Sequence, residues 1–115
     1  MTVIDEHNTL NYFANKLHSD NAAMGWWVDG KDKYVLATKL MLTVSEISEA
    51  MEGLRKDKMD DHLTHRKAVE VELADALIRI FDFAGALGLD LSGAFNEKLE
   101  YNANRQDHKK ENREA

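Results

Sequence analysis

Residues 68–87 read AVEVELADALIRIFDFAGAL, and this stretch decides the fold. Wound as a helix, it is apolar almost all the way round except for one line of charge. Glu72, Asp75, Arg79 and Asp82 fall within an arc of about 80° at the helical angle per residue. Val69, Leu73, Ala76, Leu77, Ile80 and Ala84 cover one flank of that line, and Val71, Ala74, Ile78, Phe81 and Gly85 cover the other. An ordinary surface helix has the reverse pattern, a polar face with one apolar stripe. Helices should therefore flank this one on several sides, and its charges must be paired or bound to metal, because unpaired buried charge is very costly.

Working outward, the rest of the chain also reads as helix. It has 115 residues, enough for one domain and too few for two, with no linker or internal repeat. There is no proline, glycines are few, and Ala, Leu, Glu, Lys and Met abound, a composition that favours helices. Thr2 and Asp5 resemble a capping box ahead of Leu10, Phe13, Ala14 and Leu17, so a first helix is expected over about 3–21. A loop follows, with Gly25 and Gly30 as breakers around Trp26 and Trp27. Asp32 can cap a second helix reaching about Lys56, with Leu36, Leu40, Val44, Ile47, Met51 and Leu54 as its apolar stripe. Residues 57–65 form a polar connection to the central helix, which Gly88 can close. Asp90 or Ser92 caps a fourth helix, with Leu91, Ala94, Phe95, Leu99 and Asn102 expected to face inward. The expectation is an all-α, four-helix, bundle-like domain over 1–115. Residues 104–115, with Arg105, Lys109, Lys110 and Arg113, read either as a frayed terminus or as a basic segment that folds over an anionic ligand.

Several function classes are excluded or disfavoured by composition. A net charge of -6 and a pI near 5.3 argue against a general binder of nucleic-acid polymers. No apolar run approaches the roughly 20 residues needed to span a bilayer, and the start MTVIDEHN does not resemble a secretory signal. Without cysteine there is no disulfide framework and no thiolate ligand. A cytoplasmic setting without membrane association is expected.

The second helix carries its own acidic pair, Glu46 and Glu49, one turn apart. They sit on a strip with Leu42 and Gly53, whereas Glu52 points away toward solvent. Glu46-x-x-Glu49 and Glu72-x-x-Asp75 converge if the two helices pack antiparallel. Four carboxylates at close range cannot all stay ionised without a compensating cation. Oxygen-only donors select Mg²⁺ or Mn²⁺, and Mg²⁺ recruits phosphate oxygens, which suits a polyphosphate substrate. Taken alone, a Glu-x-x-Glu pair is ordinary solvated surface; the second pair on an apolar helix is what gives it weight. A carboxylate-bridged di-iron site needs Glu-x-x-His on two helices, and no glutamate here is followed by histidine three residues on. His62 and His65 have ligand spacing but lie in the polar connection, where solvation is the simpler reading. Arg79 either balances Asp75 or Asp82 or faces a substrate or partner. One ring of Trp26 and Trp27 can stack on a base, or the pair simply caps the end of the bundle.

The acidic motifs SEISE (residues 45–49) and ELAD (72–75), followed by KLEYNANRQDHKKENR (98–113), resemble those of the MazG-like all-α nucleoside triphosphate pyrophosphohydrolases. The resemblance covers about residues 34–113. It implies a MazG-type domain in which Glu46, Glu49, Glu72 and Asp75 are Mg²⁺ ligands, with Mn²⁺ able to substitute. It also implies that Lys98, Asn102 and Arg105 lie near the phosphates and that Trp26 or Trp27 stacks on the base. One departure is Ser45, which stands where the family motif has its first glutamate. The implied reaction is hydrolysis of a nucleoside triphosphate, a deoxynucleotide above all, to monophosphate and pyrophosphate, with Glu46 or Glu49 as the catalytic residue that orients or deprotonates water. A second reading is a non-catalytic helical module that binds nucleotides or a partner protein around an ion-stabilised acidic core. The two apolar flanks of residues 68–87 also exceed what three other helices can cover, so a homodimer or tetramer is expected.

Overall fold

The computed structural model describes residues 6–105, and the Thr2–Asp5 cap and most of the basic tail lie outside them. Among the described residues there are four α-helices: α1 (Thr9–Ala23), α2 (Lys33–Lys56), α3 (Ala68–Ala86) and α4 (Leu91–Asn104). A 3-10 turn, Glu6–Asn8, precedes α1, so the first helix begins later than its apolar spacing suggests. No helix among these residues is long and apolar enough to cross a membrane.

The helix ends follow local chemistry. Asp32 accepts hydrogen bonds from the Tyr34 and Val35 N–H groups at 2.8 and 3.0 Å, satisfying two donors that open α2. Gly88 has φ +62°, a left-handed conformation that costs glycine little, and it terminates α3. Of the two candidate caps for α4, Asp90 takes the role by accepting from the Gly93 N–H at 2.9 Å. Ser92 is buried instead and accepts the Asn11 N–H, tying α4 to α1.

α3 is the central element, packed against α1 on one side and α2 on the other, both antiparallel to it. Gly53 near the end of α2 lies against Ala68 at the start of α3, while Glu46 meets Arg79 further along. On the other side Ala14 approaches Gly85, and the Phe13 and Phe81 rings stand 5.6 Å apart. Among the described residues the buried apolar side chains are all alanines, namely Ala14, Ala50, Ala68, Ala76 and Ala84, and no large side chain is fully buried. Small residues let the helices approach closely, but they bury little area.

Two expectations about facing are corrected. The stripe Leu40, Val44, Ile47, Met51 and Leu54 of α2 does not face α3; each of these side chains is 48–68% exposed. The α2 face that meets α3 carries Glu46, Ala50 and Gly53, because only small or pairing groups fit at that distance. On α4, Phe95 and Leu99 are half-exposed rather than inward, since α4 packs on α1 and the 3-10 turn and not along the length of the bundle. On α3 itself, Leu73, Leu77 and Ile80 are also exposed.

The close helix approach can be tested by adding single methyl groups. A Cβ on Gly85 would strike the Ala14 carbonyl oxygen and lie 2.7 Å from the His18 Cβ. Glycine to alanine inside a helix ordinarily stabilises by up to about 1 kcal/mol. Here Gly85→Ala is expected to destabilise by about 1–3 kcal/mol through overpacking, lowering the thermal midpoint by several degrees in a calorimetric scan.

Candidate metal and nucleotide site

The carboxylates that the spacing places on one line of each helix come together across the α2–α3 contact. Carboxylate oxygens of Glu46, Glu72 and Asp75 all lie within 4.8 Å of one another. Among the described residues this is the group of acids that could hold a metal ion, and no histidine belongs to it. Glu49 is not one of these three; it is exposed and lines a cavity of about 380 Å³ with Glu72, Lys58, Asp60 and His62. Ser45 turns its hydroxyl back to the Leu42 carbonyl at 2.6 Å and takes no part in the cluster.

The electrostatics register the crowding. Burial first, then hydrogen bonding to Glu46 and Glu49 and their negative charge, push the Glu72 carboxyl up to about 8. Burial and the Glu46 charge also raise the Asp75 carboxyl, with Arg79 opposing them. When these carboxyls are all ionised, the buried Glu72 Oε2 has no donor to accept from, and only a proton or a cation can satisfy it. An all-oxygen donor set with an unpaired buried oxygen fits a hard divalent cation such as Mg²⁺. Asp60 adds to the acidity of the first cavity; the His62 and Leu63 N–H groups, at 2.9 and 2.7 Å, hold its carboxyl below the usual range.

On the other side of the cluster lies a cavity of about 460 Å³, lined by Glu46, Asp75, Arg79, Trp26, Asn21 and Ile78 among others. Arg79 pairs with Glu46 at 3.4 Å, not with Asp75 or Asp82, and its guanidinium lies 5.7 Å from the centre of the Trp26 ring. The two tryptophans therefore part company. Trp26 borders the cavity beside the acids. Trp27 donates its indole N–H to Asp82 at 2.9 Å, packs edge-on to His18, and has Lys39 over its ring at 4.5 Å. Asp82 also meets His18 Nδ1 at 3.0 Å, so this buried acid belongs to an anchor for the loop and not to the acidic line.

Lys98, Asn102 and Arg105 line neither cavity. Lys98 lies over the Tyr101 ring at 4.5 Å, with Arg105 at 5.7 Å. Because α4 packs on α1 rather than α2, these groups are not brought to the carboxylates. Two residues at the site escaped sequence reasoning. Asp60 sits in a polar connection that offers no periodic signal. Asn21 continues the stripe Leu10, Ala14, Leu17 at helical spacing, and a polar residue on an apolar stripe was the available clue. The chain was compared with family models, curated proteins and solved structures, and nothing matches it.

The raised Glu72 carboxyl makes stability depend on pH. Its folded pKa, about 8, lies above the unfolded value near 4.5, so the native state retains a proton that the unfolded state has lost. The associated stability is complete below about pH 4.5 and disappears as pH rises through about 8. In EDTA the thermal midpoint is expected to fall over that window, and Glu72→Gln is expected to flatten the fall. At pH 8, added Mg²⁺ should raise the midpoint of the wild type more than that of the variant, as read by differential scanning calorimetry.

Proposed function

We propose that this protein is a Mg²⁺-dependent nucleoside triphosphate pyrophosphohydrolase of the MazG-like kind, releasing monophosphate and pyrophosphate. The observation that carries the reading is the convergence of acids from two helices beside a cavity bordered by Trp26. Glu46, Glu49, Glu72 and Asp75 would hold the metal. Bound there, Mg²⁺ or Mn²⁺ supplies charge neutralisation for the phosphates and a more acidic water. Glu49, open to the solvent-facing cavity, is better placed than Glu46 to orient the attacking water, since Glu46 is engaged by Arg79. Trp26 offers its ring to the base, and Trp27 fixes the loop that presents it. A cytoplasmic setting belongs to the same reading.

Incubation with individual (deoxy)nucleoside triphosphates and Mg²⁺ tests the reaction. Monophosphate and pyrophosphate are the expected products, and phosphate with diphosphate would show that a different bond is cut. Glu49→Gln is expected to lower turnover by at least about 10²-fold, the lower range for loss of a general base, while the circular dichroism spectrum stays unchanged. Near-wild-type turnover in that variant would remove Glu49 from the chemistry.

The same reading includes a homo-oligomer. Large apolar side chains of α2, α3 and α4, among them Met51, Leu54, Leu77 and Leu99, are half or more exposed. A symmetric partner would cover them, and the phosphate role assigned to Lys98, Asn102 and Arg105 is then exercised across a subunit boundary. Light scattering at micromolar concentration is expected to give twice or four times 13.1 kDa. A mass of 13.1 kDa for folded, active protein would show that one chain is sufficient.

A further inference from the structure

Asn21 is 4% exposed, and its side-chain nitrogen has no hydrogen-bond partner. Its backbone carbonyl is fully used, accepting from the Met24 and Trp26 N–H groups as α1 ends. The position continues an apolar stripe, where leucine would pack without leaving a polar group unpaired. Retaining an unsatisfied buried amide at such a place is destabilising and calls for a ligand that satisfies it.

The surroundings indicate what that ligand is. Asn21 lines the cavity of about 460 Å³ with Leu17, Met24, Ile78 and Trp26, which make apolar walls suited to a flat ring. Asp20 and Arg79 there are already engaged, Asp20 with Lys16 at 2.8 Å and Arg79 with Glu46. Glu46 and Asp75 line the same cavity and belong to the acidic cluster, so a molecule filling the cavity also reaches those acids. A carboxamide sets a donor and an acceptor side by side, and rotation about its last torsion exchanges them. That pattern matches the edge of a nucleobase, where an acceptor and a donor also stand adjacent.

We infer that Asn21 determines base specificity, its carboxamide pairing with the polar edge of a nucleobase seated against Trp26. This rests on the nucleotide reading above and adds to it the residue that distinguishes one base from another. A site built to hydrogen-bond one edge discriminates strongly against a ligand that leaves its buried group unpaired. The closing loop contributes by position: Lys39 Nζ donates to the Trp26 carbonyl, holding the ring at the mouth of the cavity beside Asn21.

The test is calorimetric binding, with Mg²⁺, of the α,β-imido triphosphates of the four common deoxynucleosides and of inorganic tripolyphosphate as a base-free probe. Asn21→Asp replaces the donor with an acceptor, and Asn21→Ser shortens the reach; the second keeps the question open to test if the first does not fold. In either folded variant the preferred nucleotide is expected to bind about tenfold more weakly or worse, the scale of one lost bidentate base contact. Tripolyphosphate should change less than about twofold, as a probe without a base edge. Equal weakening of every probe, or no change in any, would overturn the inference. Wild type that binds tripolyphosphate as tightly as any nucleotide would also overturn it, while leaving the metal–phosphate site standing. If the wild type binds no probe at all, the nucleotide reading itself fails.

Discussion

Close approach of α3 to two antiparallel neighbours is the constraint on which the rest of the molecule depends. It is made by small residues: Gly53 against Ala68 on one side, Gly85 against Ala14 on the other. With no Cβ at these points the helix backbones can come nearly into contact. That proximity brings acids from α2 and α3 within bonding distance of a common point. Wider-spaced helices joined by leucine would hold more apolar area but would separate the carboxylates. The fold thus gives up burial between helices to obtain a charged seam.

The seam is unfavourable by itself. Like charges repel, desolvation penalises ionisation, and the Glu72 carboxyl responds by holding its proton to about pH 8. Arg79 offsets part of this through Glu46. A divalent cation would offset the remainder, which is why the same geometry reads as a binding site and not as a stabilising core. The opposite strategy operates about two turns beyond Asp75 along α3. There Asp82 is buried too, yet it is satisfied by Trp27 and His18 and serves to anchor the loop between α1 and α2. Two acids on one helical line have different roles because their neighbours differ.

An alanine-based interior has a further consequence at the surface. Many of the larger apolar side chains of α2 and α3, among them Leu40, Met51, Leu54, Leu73 and Leu77, are turned outward. Under the homo-oligomer proposed above, a second copy would cover this surface. Of the buried polar residues, Ser92 ties α4 to α1 and Asp82 ties α3 to α1 and the Trp27 loop, whereas Asp60 closes its own turn and the Asn21 amide nitrogen is unpaired.

Helix content and much of the cap chemistry were legible in the sequence, because they depend on local spacing and on residues within one turn. Asp32 and Gly88 act at the ends where their side-chain chemistry predicts. The pairing of Glu46 with Glu72 and Asp75 was also legible, since an i, i+3 spacing on two helices leaves few ways to arrange the acids once those helices are adjacent. What periodicity could not determine was which face of α2 meets α3: its most apolar stripe points out, and the face holding Glu46, Ala50 and Gly53 points in. Hydrophobicity ranks faces by transfer energy, whereas contact at this distance selects by side-chain size. The division of labour between Trp26 and Trp27, the choice of Glu46 as the partner of Arg79, and the unpaired amide of Asn21 were decided by tertiary structure alone. Each depends on residues dozens of positions apart in the chain meeting at a point that no local pattern encodes.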